Sequence, residues 1–105
     1  MSAFAITYFY AGDVEARQVV RPGHIDFLSA LHQAGTLLMS GPLEDGDAGA
    51  LLIVTGVSAD EVVGLMDEDP FWRAGLVARR EVQRWNVVFG VEALVGKSSR
   101  GSRAT

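Results

Sequence analysis

The sequence predicts an α+β domain in which a four-stranded antiparallel sheet carries two helices on one face. The chain has 105 residues, of which 49% are hydrophobic, and this suffices for one domain with its own core. The spacing of apolar residues is typical of strands in some segments and of helices in others, and these segments follow one another in the order β-α-β-β-α-β. In these strand segments the side chains on both faces are apolar. A sheet with one solvent-exposed face would instead alternate apolar and polar residues.

The first strand and the first helix occupy the first third of the chain. Residues Ala3–Tyr10 (AFAITYFY) are rich in β-branched and aromatic side chains and predict a strand. Residues 13–20 predict a loop that could hold one turn of helix. Pro22 suits the first turn of a helix because its missing N–H costs nothing there. We therefore expect the first helix from Pro22 to Ala34, with Gly35 as its stop.

Two strands joined by a hairpin follow. Leu37–Leu43 (LLMSGPL) is the second strand, and its pairing is expected to stop at Gly41 because Pro42 cannot donate to a neighbouring strand. Residues 44–49 contain an Asp-Gly pair typical of a hairpin turn. Ala50–Thr55 (ALLIVT) is the third strand.

The second helix begins at a capping box. Ser58 is followed three residues later by Glu61, the S-x-x-E pattern in which each residue satisfies a free backbone N–H of the first turn. Asp69 is expected to cap a further short helix that starts at Pro70.

The last strand is expected within Val77–Phe89, centred on residues 82–89. The segment after Leu94 (VGKSSRGSRAT) is polar and rich in Gly and Ser. We therefore expect a domain over residues 1–94 and a flexible tail over residues 95–105.

The resulting arrangement is ferredoxin-like, with both helices on one sheet face. Phe4, Ile6 and Tyr8 then point to one side of the sheet, whereas Ala5 and Phe9 point to the other. Because the helices cover only one face, the other apolar face must meet something, and a second copy of the chain is the simplest partner. A monomer with a shallow apolar face or a ligand cleft is the alternative.

Composition narrows the functional classes. The formal charge is −4, and nine Lys and Arg side chains are too few for the basic face of a nucleic-acid binder. The absence of cysteine excludes thiolate catalysis and disulfides and fits a reducing compartment. The first residues show no signal-peptide pattern, and no apolar run is close to the length of about 20 residues that a membrane helix needs. We expect a cytoplasmic protein that binds neither nucleic acid nor membrane.

His24 and Asp69 are the main candidates for chemistry. His24 falls on the apolar stripe of the first helix with Leu28 and Leu31, at about 100° per residue. The positive end of the helix would favour the neutral ring, which can act as a general base. Asp69 could orient that ring with one oxygen while the other caps the short helix. Alternatively, His24 is a half-buried structural histidine and Asp69 only a cap.

Other residues are candidates for substrate contacts. Arg21 is the first candidate and Arg17 the second: either could bind a carboxylate or phenolate, or could simply be solvated. Ser40 and Gly41 end a strand, where small residues let a ligand approach the backbone. Phe71 and Trp72 could wall a pocket, although such aromatics also anchor short helices.

Metal and cofactor motifs are missing. His24 and His32 lie eight residues apart, with no H-E-x-x-H pattern and no cysteine, so no metal site is expected. No G-x-G-x-x-G, P-loop or nucleophile elbow is present, and no cofactor is expected. The role of His32 is left open.

An ordered set of motifs resembles the YCII-related (YciI-like) family. It comprises the helical R-x-x-H of Arg21 and His24, then G-x-L-L-x-x-G-P from Gly35, then the Asp69-Pro-Phe triplet and Trp85, within residues 3–89. The resemblance implies a ferredoxin-like fold that dimerises into an α+β barrel. It also implies that His24 and Asp69 share an active-site pocket. Relatives are linked to aromatic degradation, including a dehydrochlorinase of a chlorinated hydroxyhydroquinone.

Two functions are compatible with these residues and with the resemblance. In the first, the chain is an enzyme that uses a His24–Asp69 dyad for cofactor-free proton transfer, in an elimination or isomerisation of a small aromatic or lactone-like compound. In the second, the same pocket holds a ligand without turnover, or the dimer serves as an accessory module.

Overall fold

The computed structural model describes residues 1–94. The tail predicted over residues 95–105 lies outside the described residues. Four strands and four helices follow one another as β1 (Ser2–Tyr10), α1 (Val14–Gln33), β2 (Leu37–Leu43), β3 (Gly49–Gly56), α2 (Ala59–Met66), α3 (Pro70–Arg73), β4 (Val77–Trp85) and α4 (Val91–Leu94). The predicted β-α-β-β-α-β order is confirmed, and α4 is a short addition after the last strand.

The sheet has the strand order β2-β3-β1-β4, and every neighbouring pair is antiparallel. The β1–β3 register sets the two faces: Phe4 lies opposite Val54, whereas Ala5 lies opposite Ile53. The helix-facing side chains of the sheet join those of the helices in one core, which includes Phe4, Ile6, Tyr8, Leu28, Leu52, Val54, Val62, Met66 and Phe71. The alternation of β1 predicted from the sequence is therefore observed.

The first helix begins earlier than predicted. Its cap is Asp13, whose side chain accepts a hydrogen bond from the backbone N–H of Ala16 at 2.8 Å. Pro22 therefore lies inside α1, where it leaves the carbonyl of residue 18 without its usual helical partner. His24 sits about three turns from the start of α1. The expectation that the helix N-terminus acts on its ring is wrong, because that effect fades within the first turn.

The strand ends also differ from the prediction. The last strand runs over Val77–Trp85 and stops before residues 86–89. Its end is set by β1, because Ala3 pairs with Trp85 and little of β1 precedes Ala3. Pairing of β2 with β3 continues through Pro42 to Leu43 instead of stopping at Gly41. Pro42 is tolerated because β2 lies at the edge of the sheet.

The sheet face away from the helices carries apolar side chains in contact with solvent. Met39, Leu43, Leu51 and Trp85 are between 38% and 44% exposed. A shallow depression there is lined by Ala5, Leu51, Ile53 and Trp85 and by the polar residues Gln83 and Arg84. In residues 1–94, no helix is both long enough and apolar enough to cross a membrane.

Candidate active site

Asp69 occupies the turn between α2 and α3 and has no exposed surface. Its Oδ1 accepts a hydrogen bond from the backbone N–H of Phe71 at 2.9 Å, so it caps α3. Pro70 follows as the first residue of that helix, where its missing N–H costs nothing. The cap predicted from the Asp-Pro pair is therefore present.

The Asp69 carboxylate accepts two further hydrogen bonds. His24 Nδ1 lies 2.8 Å from Oδ1, and the hydroxyl of Tyr8 donates to Oδ2 at 2.8 Å. The cap and the histidine thus share one oxygen, whereas the sequence led us to expect them on different oxygens. The second oxygen is bound by Tyr8, for which the sequence pattern predicted only a place in a strand. With three donors, a carboxylate that is fully buried is satisfied.

The His24 ring is held on two sides. A carboxylate offers only acceptors, so we assign a proton to Nδ1, and in the neutral ring Nε2 then carries the free lone pair. The ring stacks on Phe71 with 3.9 Å between ring centres and 7° between planes. The hydrogen bond fixes the direction of the ring and the stack fixes its plane. The residue is only 6% exposed, yet it lines a cavity.

That cavity lies between α1 and the helix-facing side of the sheet and has a volume of about 460 Å³. It is lined by five of the predicted site residues, which are Arg21, His24, Ser40, Gly41 and Phe71. Ser40 lies opposite Leu52 in the β2–β3 register and so faces the helices. Asp69 stands behind the His24 ring and does not line the cavity.

Trp72 does not take the predicted place in the cavity wall. Its ring lies under the guanidinium of Arg80, which is 3.7 Å from the ring centre. Successive residues of a helix diverge by about 100°, so α3 cannot turn both of its neighbouring aromatic side chains toward the cavity, and Phe71 takes that side.

His32 belongs to a different part of the surface. It is exposed, and its Nδ1 lies 2.9 Å from the carbonyl oxygen of Leu37. In the part of the chain that the structure describes, no three His, Asp or Glu side chains form a group that could hold a metal ion.

Arg17 and Tyr10 are among the other residues that line the cavity. Sequence reasoning gave Arg17 less weight than Arg21 and missed Tyr10, whose ring meets Phe71 edge-on at 5.6 Å. Burial raises the pKa of Tyr10, and the charge of Asp69 adds to this, while Arg17 and Arg21 act in the opposite direction. The phenol therefore remains a hydrogen-bond donor at neutral pH. The alternation of β1, which places Tyr10 on the same side as the helices, was the available signal.

A family model and two known proteins that are similar to this chain point to the same family. The model of the YCII-related domain family matches residues 1–86. Protein YciI of Escherichia coli O6:H1 (strain CFT073) is 31% identical over 88 residues, which cover 75% of this chain and 90% of that protein. Protein YciI of Shigella flexneri is similar to the same extent.

A solved structure is also similar. It is the 5-chloro-2-hydroxyhydroquinone dehydrochlorinase (TftG) from Burkholderia phenoliruptrix AC1100, in complex with 2,5-dihydroxybenzoquinone. The TM-score is 0.73 at 27% sequence identity, and the match covers 82% of this chain and 95% of that chain.

Replacing Tyr8 by Phe tests the hydrogen bond that holds Asp69. The variant leaves Oδ2 of a buried carboxylate without a donor, so we expect a loss of about 1–3 kcal/mol in the free energy of unfolding. Urea denaturation measures it. Tyr10→Phe is the matched control, because the Tyr10 hydroxyl makes no hydrogen bond within residues 1–94, and its stability should change little.

The difference between wild type and Tyr8→Phe should depend on pH. Burial, together with Asp69, raises the pKa of Tyr8 well above its ordinary value of 10.0. Above pH 10 the unfolded chain therefore loses a proton that the folded chain keeps, and the stability contributed by Tyr8 falls as the pH rises. The two unfolding free energies should converge above pH 10. A gap that stays constant to higher pH would contradict this assignment.

Proposed function

The chain belongs to the YCII-related family, and we propose that it is a small-molecule enzyme in which His24 and Asp69 transfer a proton without a cofactor. One observation carries the proposal. A histidine in the wall of a cavity has one ring nitrogen bound to a buried carboxylate, and this leaves the other nitrogen for a ligand. The family membership agrees with the resemblance in the sequence motifs.

The proposed chemistry uses the two groups in different ways. Nε2 of His24 takes a proton from the substrate, and the imidazolium that forms is stabilised by the Asp69 carboxylate on its other side. In an elimination, the electron pair left behind forms a new double bond and a leaving group such as chloride departs. In an isomerisation, the proton returns to a different atom of the same molecule. Neither reaction changes the electron count, so neither requires a redox cofactor.

The proposed substrate is a small ring compound, aromatic or lactone-like. The name of the dehydrochlorinase relative indicates removal of hydrogen chloride from a chlorinated hydroxyhydroquinone. A cavity of about 460 Å³ lined by Leu28, Leu52 and Phe71 fits a ring of that size. Ser40 and Gly41 lie on β2 in the cavity wall. In the proposed reaction, the Ser40 hydroxyl and the backbone of Gly41 donate hydrogen bonds to a substrate oxygen that gains negative charge.

The test is turnover by His24→Gln. With 5-chloro-2-hydroxyhydroquinone as the first compound and chloride release as the readout, we expect kcat to fall by about 10²–10⁴-fold, the range for loss of a general base. His32→Gln is the matched control, since it removes the other of the two histidines from an exposed position outside the cavity. It should retain the wild-type rate.

Two results would count against the enzyme. If His24→Gln turned over the compound as fast as wild type, the dyad would not carry the reaction. If chlorinated quinols and lactones bound in the cavity and were recovered unchanged, the chain would be a non-catalytic binding module. That result would favour the alternative expected from the sequence.

We also propose that two copies pair through the open face of the sheet. The helices cover only one face, and the other presents Leu51 and Trp85 to solvent around a shallow, mostly apolar depression. A symmetric pair would remove this surface from water without any change in the fold.

Leu51→Glu tests the pairing. The residue is 38% exposed, so the charge can be solvated in the monomer but not within an apolar interface. Sedimentation velocity should give twice the chain mass for wild type and a shift to the chain mass for Leu51→Glu. Val19→Glu, at an 81% exposed position of α1, should stay a dimer. A monomeric wild type, or a Leu51→Glu variant that remains dimeric, would contradict the pairing.

A further inference from the structure

Two arginines share the cavity with His24. Arg17, Arg21 and His24 occur at spacings of four and three residues along α1, which places them on one face of the helix. All three line the same cavity. Arg17 is half-buried and Arg21 is exposed, so both guanidinium groups can reach a ligand that lies beside the histidine.

The Arg17 guanidinium is fixed in place without being neutralised. Its Nη1 donates to the carbonyl oxygens of Ala11 at 3.3 Å and Gly12 at 3.1 Å. Its central carbon lies 5.0 Å from the centre of the Tyr10 ring. Carbonyl groups and an aromatic face orient a guanidinium, but they leave its full positive charge in the cavity wall.

Neither cavity arginine forms an ion pair with a carboxylate among residues 1–94. Other arginines do, and these pairs are Arg73 with Glu68, Arg79 with Glu81 and Arg80 with Asp67. The chain has 13 acidic and nine basic residues, excluding histidine, so carboxylates outnumber the cations that they could pair with. Arg17 and Arg21 therefore keep their charge although acidic residues are in excess, and only Arg84 among the other arginines of residues 1–94 is also without a carboxylate partner.

No acidic side chain of the described residues lines the cavity. Asp69 contacts the cavity residue His24, but it lies behind the His24 ring, and its two oxygens accept hydrogen bonds from His24, Phe71 and Tyr8. The cavity thus offers positive charge along α1 and an apolar surface at Leu52 and Phe71. A cationic site of this kind is suited to a ligand with its own negative charge.

We propose that the cavity selects ring compounds that carry an acidic oxygen, a carboxylate or an ionised hydroxyl, which Arg21 and Arg17 bind while the ring lies against Phe71. The inference deepens the proposed function, on which it rests for the position of the reacting atom beside His24. The charge preference itself is a property of binding and is measured without turnover.

A matched pair of probes tests the preference. The probe 2,5-dihydroxybenzoquinone is ionised at neutral pH, and 2,5-dimethoxybenzoquinone has the same ring without an acidic proton. By isothermal titration calorimetry, wild type should bind the dihydroxy probe at least about tenfold more tightly than the dimethoxy probe. Added salt should weaken only the binding of the dihydroxy probe.

Arg21→Gln should weaken binding of the dihydroxy probe by about tenfold and leave binding of the dimethoxy probe unchanged. Adding Arg17→Gln should remove the remaining preference. Arg84→Gln is the matched control, because Arg84 has no carboxylate partner within residues 1–94 and donates to the hydroxyl of Ser2. It lines the depression on the open sheet face instead of the cavity, so the control is compared with wild type at the same oligomeric state. Unfolding midpoints near that of wild type establish that the variants are folded.

Three results would overturn the inference: equal affinity for the two probes, unchanged binding of the dihydroxy probe by Arg21→Gln, or no binding of that probe by wild type. The outcome is separable from that of the proposed function. A protein that prefers the anionic probe but turns over no compound would contradict the enzyme alone. Turnover without any charge preference would contradict the anion site alone.

Discussion

The buried carboxylate of Asp69 is the constraint on which the site depends. Its three hydrogen-bond donors come from three elements, with Tyr8 on β1, His24 on α1 and the backbone N–H of Phe71 on α3. A carboxylate with no exposed surface is stable only if such donors are present, because its lost hydration must be replaced. The same group therefore fixes the sheet, the long helix and the short helix relative to one another, and through them the histidine ring.

The cavity follows from the length of α1. Because the helix begins at Val14, about three turns of it precede His24, and residues of these turns line the cavity. These turns supply the arginines, β2 and β3 supply the opposite wall, and Phe71 closes the side next to the histidine. A histidine, a cationic side and an apolar surface then lie within a single space between the two layers of the fold.

The sequence predicted what depends on local patterns and missed what depends on pairing across the chain. The Asp-Pro pair predicted the cap at Asp69, and alternation in β1 predicted the core face. Pro22 was misplaced because a proline is common in the first turn of a helix and rare in its interior, where the structure has it. The bond from Tyr8 to Asp69 joins residues 61 apart in the chain, and no local pattern reports which side chains meet over that distance. The end of β4 was misplaced for a related reason, since it depends on where β1 starts.

The central claim is that Asp69 holds His24 with Nδ1 protonated and Nε2 free toward the cavity. Proton–nitrogen correlation spectra of the imidazole groups, recorded at a pH where the ring is neutral, test it most directly. We predict that the neutral His24 ring carries its proton on Nδ1, and that Asp69→Asn, whose amide can donate to the ring, abolishes this preference. A neutral ring protonated at Nε2 in the wild-type protein would contradict the claim, because the cavity would then face a donor instead of a base.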